Sequence, residues 1–154
     1  MLSDKNYKNF EFEFDCRIES GTDGGIFYHL PSDISFAQLA TAYQEMQLVD
    51  EENNGLASAN PTHLTGALFN MIGPRYKISK PSAINNFRLV VKNGHVEHWL
   101  NGIKVTEYDV NAGEWKKMWR TNFGLEPAHL ESGRVALVVQ HGTAHFTNIR
   151  IREL

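Results

Sequence analysis

The sequence is short of several things, and each shortage removes a class of function. It has one cysteine, Cys16, so no disulfide forms within the chain. Cys16 falls on the apolar side of its strand, where a free cysteine serves as a small core residue rather than a nucleophile. No block of basic residues is present, and the net charge is only -3, which gives nucleic acid and anionic membranes little to hold. No apolar run is long enough to cross a membrane. No Gly-X-Ser-X-Gly elbow, P-loop or dinucleotide fingerprint occurs, so a serine nucleophile and a phosphate cradle are unsupported. No secretory pattern leads the chain, because Met1-Leu2-Ser3-Asp4 runs almost directly into a strand. There is no βαβ rhythm, repeat or low-complexity segment. The 154 residues are enough to bury a core and read as one domain, 1–154.

What is present is alternation. In residues 9–19, Phe10, Phe12, Phe14, Cys16 and Ile18 make one face, and Glu11, Glu13, Asp15, Arg17 and Glu19 the other. That is a half-buried antiparallel strand. Ser20–Gly25 reads as a turn, with Asp23-Gly24-Gly25 at its end, and Ile26–Leu30 as the next strand. Pro31–Thr41 is a connection. Tyr43–Asp50 is a strand whose Met46 and Leu48 face a core, while Glu45 and Gln47 share the other side with Tyr43. An acid and an amide two residues apart form a small polar platform suited to sugar hydroxyls; the alternative is an ordinary solvated sheet face. A long polar loop follows and carries His63. Gly66–Ile72 reads as a short strand, and the loop 73–82 carries Arg75 and Lys80.

Asn93-Gly94 and Asn101-Gly102 suit two-residue hairpin turns. They predict a meander of strands 85–92, 95–100 and 103–109, in which Val91 opposes Val96, Leu89 opposes His98 and Phe87 opposes Leu100. Ile103 and Val105 continue that apolar face. Residues 111–130 are irregular, apart from a short helix over Glu114–Arg120 with Trp115 and Trp119 one turn apart. Arg134–His141 is an apolar run that suits a central strand. The closing strand, Ala144–Arg152, offers Phe146, Ile149 and Ile151 to the core. About nine short strands with little helix predict an all-β, two-sheet antiparallel sandwich.

Several side chains carry two readings. His98 is either a satisfied core histidine or a site residue. Trp99 lies on the polar face between Arg88 and Lys104, as a cation–π partner or a sugar-stacking platform. His141, at a strand end, is either functional or a turn cap. His95 and His98 sit on one strand and face opposite sides, and His141 and His145 only flank a turn. Without a third ligand, neither pair supports a metal site. No cofactor is evident, and a divalent metal is unsupported.

The segments Tyr7–Phe14, Gly25–Tyr28, Tyr43–Asp50, His63–Leu68, His95–Gly102, Gly133–Leu137, and His141-Gly142 through Phe146–Ile151 together resemble the 3-keto-disaccharide hydrolase family, nearly end to end and in order. That family is similar to laminin-G-like and concanavalin A-like lectin and glucanase domains, which implies a jelly-roll. The resemblance implies a bacterial, periplasmic or secreted protein lacking the family's usual opening strand, with a sheet edge left open to a second copy. Cys16 stands where the family commonly has tryptophan, and His29 where it has arginine. Val139-Gln140-His141-Gly142 replaces a Gln-Asp-His-Gly stretch and so loses an acid beside His141.

The implied partner is an oxidised, 3-keto sugar or oligosaccharide. A ketone at C3 acidifies the C2 proton, a base removes it, the C1 substituent leaves, and water adds. This needs one base, one acid and donors for an enolate. The resemblance implies Glu45 and His141 as that pair, in either order, with Gln47, His29 and His63 binding hydroxyls and Arg75 or Lys80 supporting the enolate. Asp50, on the opposite strand face from Glu45, caps the following turn. The competing expectations are a non-catalytic carbohydrate-binding module, with Trp99 exposed in a shallow groove, and an interaction domain on the same fold.

Overall fold

The computed structural model describes residues 1–35, 43–127 and 131–154. Most of the Pro31–Thr41 connection and the end of the 111–130 stretch lie outside the described residues. Among the described residues, the strands are β1 (Phe10–Ile18), β2 (Asp23–Leu30), β3 (Gln44–Val49), β4 (Asn85–Lys92), β5 (His95–Leu100), β6 (Ile103–Asp109), β7 (Arg134–His141) and β8 (Ala144–Glu153). Two helices, α1 (Gly55–Ala59) and α2 (Gly113–Phe123), and a 3-10 turn at Pro61–His63 complete the set. The strands form a five-stranded sheet in the order β6-β5-β4-β1-β8 and a three-stranded sheet in the order β3-β2-β7. Every strand pairing is antiparallel. The two sheets close on a shared core, so the fold is the antiparallel sandwich that the alternation predicts and the jelly-roll that the resemblance implies.

The alternating face of β1 lies in that core, with Phe14 stacked on Phe87 of β4 at 5.1 Å between centroids. The meander has the predicted register: Phe87 pairs with Leu100, Leu89 with His98, and Val91 with Val96. Both asparagines of its turns have positive φ, 52° at Asn93 and 51° at Asn101, as a type I′ turn requires. Helix α2 contains the predicted one and runs longer. Its Trp115 stacks on Tyr108 and its Trp119 is buried, so the helix caps one part of the core.

Five expectations are corrected. β2 begins at Asp23, so Asp23-Gly24-Gly25 is strand rather than turn. A Cβ at Gly24 would lie 2.2 Å from the Val138 carbonyl oxygen, and glycine in a strand marks such a close approach. β7 is an edge of its sheet, not the centre. It is apolar throughout because Val135 and Leu137 face the main core, while Ala136 and Val138 join a second cluster with Phe27 and Leu30 on the outer face. Its outer side is partly covered by residues 1–7, through bridges Leu2–Ala136 and Tyr7–Gly133. The 66–72 stretch is a pair of bridges, Met46–Leu68 and Leu68–Ile72, that edge β3. Ile149 is 41% exposed, because a register shift between β1 and β8 and a positive φ at Asn148 turn it out of the core. Ile103 is 46% exposed beside the Asn101-Gly102 turn, whereas Val105 is buried. The other edge of the large sheet, β8, carries Arg150, Arg152 and Glu153, and charge on an edge opposes pairing with another chain.

His98 is a core histidine, fully buried. Its Nδ1 donates to the Gly66 carbonyl at 2.9 Å, and its Nε2 accepts from the Tyr28 hydroxyl at 2.9 Å. Tyr28 in turn is hydrogen-bonded to Tyr108. These bonds tie β5 and β6 of the large sheet to β2 of the small one. Burial pushes the imidazole down to about 4, so the ring stays neutral and the tautomer is fixed by the carbonyl, which can only accept. Because the folded ring resists a proton that the unfolded chain takes near 6.5, this group's contribution to stability falls as pH drops from about 6.5 toward about 4. Replacing Tyr28 by Phe removes the donor to Nε2 and leaves a buried acceptor unpaired. The expected cost, read from urea unfolding at pH 7, is about 1–3 kcal/mol.

Candidate functional site

The candidate site lies on the outer face of the small sheet, where β2 and β3 run side by side. Phe27 pairs with Glu45, Gly25 with Gln47 and Asp23 with Val49. Met46 and Leu48 face the core as predicted, which turns Glu45 and Gln47 outward. They are nonetheless not a solvated face. Glu45 is 5% and Gln47 3% exposed: the returning chain pairs along the edge of β3, with Gln47 N–H donating to Ala67 O and Phe69 N–H to Glu45 O, and Asn54, Ala57, His63 and Phe69 close around Gln47. The polar platform is present but roofed.

Glu45 rests over Gly25. A Cβ at Gly25 would sit 2.3 Å from Glu45 Oε1, so only glycine leaves this place for the carboxyl. Burial, and secondarily the nearby Asp23 carboxylate, raise the Glu45 carboxyl well above the usual carboxylate range. Burial beside a like charge disfavours its ionised form. Gln47 Nε2 donates to Asp23 Oδ1 at 2.8 Å. Its other amide atom, Oε1, is buried and has no hydrogen-bond partner among the described residues. His63 comes to the same place from the 3-10 turn. Its ring stacks on Phe69 at 4.8 Å, and its Nε2 meets Asn70 Oδ1 at 2.7 Å. Asp23, Gln47, His63, Asn54, Val49 and Phe69 surround a cavity of about 30 Å3.

The remaining candidates lie around this face or away from it. His141 is exposed at the end of β7 and pairs with Asp23. That row is two residues beyond Gly25, roughly 7 Å along β2. His29 is at the other end of β2, in a positive-φ conformation, with Nε2 3.1 Å from the Lys8 carbonyl oxygen. It lines a polar cleft with Asn9, Asn93, Asn111 and Glu131. Arg75 is paired with Glu107 of β6 at 2.8 Å. Lys80 is exposed, and its backbone is held by the Asn85 side chain. Trp99 lies on the outer face of the large sheet with the Arg88 guanidinium 4.1 Å from its ring centroid and Nε1 bound to Glu97. It is the cation–π partner rather than an open stacking platform. Asp50 accepts from Gly21 N–H and Glu52 N–H, capping the turn as expected.

So the fold brings Glu45, Gln47 and His63 to one face and leaves His29, Arg75, Lys80 and Trp99 elsewhere. Asp23 and Gly25 are the site residues that sequence reading missed. The signal was the Asp-Gly-Gly run, read as a turn although glycine inside a strand also marks close approach. On the large sheet, His95, Glu97 and Glu107 offer ligand atoms within 4.8 Å of one another. Lys104 already bridges both of those carboxylates, so their charge is met by a side chain.

A profile of the family described as "3-keto-alpha-glucoside-1,2-lyase-like domain" matches residues 1–152. A curated relative from Bacteroides thetaiotaomicron, named 3-keto-disaccharide hydrolase, is 26% identical over 125 residues, which is 73% of this chain and 41% of that protein. The chain thus spans about two fifths of the length of the curated relative it matches. A solved "putative glycosyl hydrolase" from Parabacteroides distasonis has a TM-score of 0.86 at 25% identity, covering 99% of this chain and 75% of that one. The carbohydrate-binding module CBM66 from Bacillus subtilis shares the fold, with a TM-score of 0.59 at 12% identity over 99% of this chain and 80% of its own.

Two stability measurements test this geometry. Glu45→Gln removes the ionisation without changing the shape. The folded chain holds the Glu45 proton while the unfolded carboxyl releases it above about 4.5, so wild type loses stability relative to the variant as pH rises. Urea unfolding is expected to show the two equal at pH 4 and the glutamine variant more stable at pH 8. Gly25→Ala forces Glu45 aside and is expected to cost about 1–3 kcal/mol; an unchanged unfolding midpoint would mean that the carboxyl does not occupy that space.

Proposed function

The chain belongs to the 3-keto-alpha-glucoside-1,2-lyase-like domain family, and from that premise we propose that it cleaves glycosides already oxidised at C3. The family is one of glycoside-hydrolase-like, carbohydrate-active domains. The observation that carries the reading is the buried Glu45 carboxyl over Gly25, where burial favours its protonated form. In this scheme a base takes the C2 proton, the electron pair forms the enolate of the C3 ketone, and the C1–oxygen bond breaks. Glu45 gives its proton to the departing oxygen. Water then adds across the resulting enone to give the free 3-keto sugar.

A carboxyl that enters the reaction protonated is fitted to donate first, so the acid role goes to Glu45 and the base role to His141 at the row of Asp23. Gln47 and His63 bind hydroxyls from the roofed side. His29, Arg75 and Lys80 contribute only through parts of a substrate that extend beyond the Glu45 face. The sugar-binding alternative, a non-catalytic module, is favoured by one observation: Val139-Gln140-His141-Gly142 carries no acid beside His141.

The test is incubation of the purified protein with a 3-keto-disaccharide and with its unoxidised parent, with free sugar followed by mass spectrometry. Release from the keto compound alone is expected, and Glu45→Gln is expected to lower kcat by roughly 100-fold or more. Binding by calorimetry without release would replace this reading with the carbohydrate-binding module.

A further inference from the structure

We propose that the apolar groove along β7 receives the leaving group of the glycoside, so that the substrate is a 3-keto sugar joined to an apolar alcohol or phenol rather than to a second sugar. This rests on the reading of Glu45 and His141 as acid and base, and it adds the chemical class of the group that departs. The groove lies on the same outer face as Glu45. Leu30 of β2, Ala136 and Val138 of β7, and Met1, Leu2 and Ile34 line it, and its volume is about 330 Å3. The sheet register fixes where it stands relative to the site. Asp23 pairs with His141, Gly25 with Val138 and Phe27 with Ala136. The Glu45 carboxyl fills the place of a Cβ at Gly25, so Val138 stands one strand away from it, at roughly 4.8 Å. Along β7, His141 comes first, then Val138 in the row of the carboxyl, then Ala136. A sugar ring held between base and acid has its C1 oxygen at Glu45. Whatever that oxygen carries extends past Glu45, away from His141 and over Val138 and Ala136, which is where the groove opens.

The chemistry of the groove decides what departs. Among the described residues that line it, Ser35 is the one polar side chain, and the Met1 amino group is turned to the Leu137 carbonyl at 2.8 Å. A second sugar would bring several hydroxyls over this surface and leave them without partners, at a cost for each one taken from water. An alkyl or aryl group carries no such cost and gains by leaving water, up to about fourfold in binding per buried methylene. The size agrees. An apolar cavity of about 150 Å3 takes a benzene ring, so one of about 330 Å3 admits a substituted phenyl or a chain of several carbons. Asp23, Gln47 and His63 gather at the other end of the face. The face therefore divides into a polar half for the keto sugar and an apolar half for the group joined to it.

The experiment holds the keto sugar fixed and varies what leaves. Alkyl 3-keto-α-glucosides from methyl to hexyl release alcohols of nearly equal acidity, so they differ in apolar area and hardly in chemistry. Wild type is expected to show kcat/KM rising with chain length, roughly tenfold or more from methyl to hexyl. It is also expected to prefer the hexyl compound to a 3-keto-disaccharide, although the sugar is the better leaving group. Ile34→Asn and Leu2→Gln, at a half-buried and an exposed wall of the groove, are each expected to flatten the hexyl-to-methyl ratio. The ratio is taken within one protein, so a change in overall activity does not enter it. Glu45→Gln is expected to slow the whole series and keep the ratio. If wild type cleaves methyl and hexyl compounds equally well, or keeps its preference in both groove variants, the groove's role is overturned while the proposed function stands. A dimer in light scattering that Leu2→Gln disperses would assign the groove to a second copy and overturn it as well. If wild type cleaves none of the 3-keto compounds, the functional reading fails and the role of the groove fails with it.

Discussion

A missing side chain sets the terms of this molecule. Gly25 stands in the middle of the small sheet, and the space its Cβ would occupy is filled by the Glu45 carboxyl of the next strand. Its neighbour Gly24 lets the Val138 backbone of β7 approach from the opposite side. The two glycines therefore leave room on both faces of the central strand at once, for a side chain at Gly25 and for backbone at Gly24. Strands on either flank can close in, and the outer face can be roofed by the 51–69 loop with a carboxyl still beneath it. Any larger residue at position 25 would have to expel the carboxyl or lift the roof.

Burial then does the electrostatic work. Glu45 lies among Phe27, the returning loop and the Asp23 carboxylate, and each of these disfavours its charge. Asp23 differs because the Gln47 amide satisfies one of its oxygens. The two carboxyls on this face therefore sit in different settings, Glu45 where burial disfavours its charge and Asp23 where an amide donates to it. The same small sheet carries Tyr28 on its other face, bonded to His98 of the large sheet. The site is therefore braced from below through neutral hydrogen bonds, and no second buried charge is needed to hold it.

Much of this was legible in the sequence, and what was not has identifiable causes. Strict alternation in β1 and the two Asn-Gly turns specified strand identity and register, because both are local properties of the backbone. The outward turn of Glu45 and Gln47 was legible for the same reason. Their burial was not, since it depends on a loop returning across them from twenty residues away. β7 was misjudged as central because an apolar run records burial on two faces and says nothing about neighbours. Asp23 was hidden by Gly24-Gly25, which suit a turn as readily as a close-packed strand. The bulge that turns Ile149 outward leaves no mark on an otherwise regular pattern. Arg75 and Trp99 were linked to the site by type alone, and each found a nearer partner, Glu107 and Arg88.

The arrangement bears on which bond-breaking chemistry suits it. Ordinary glycoside hydrolysis uses two carboxyls flanking the scissile bond, one ionised and one protonated, at roughly 5–9.5 Å. Here the two carboxyls of the candidate face lie on the same side, and Asp23 is already engaged by the Gln47 amide. Such a pair is poorly disposed to attack a sugar from opposite faces. Elimination next to a ketone asks for less: one proton removed, one delivered, and a ring held in register. A neutral carboxyl in a roofed, apolar setting can supply the delivered proton, and a base at the open end of the same sheet can take the other. In the proposed reaction the acidity lent to C2 by the ketone would replace the second carboxylate, so that chemistry would depend on the oxidised state of the substrate more than on a dyad in the protein.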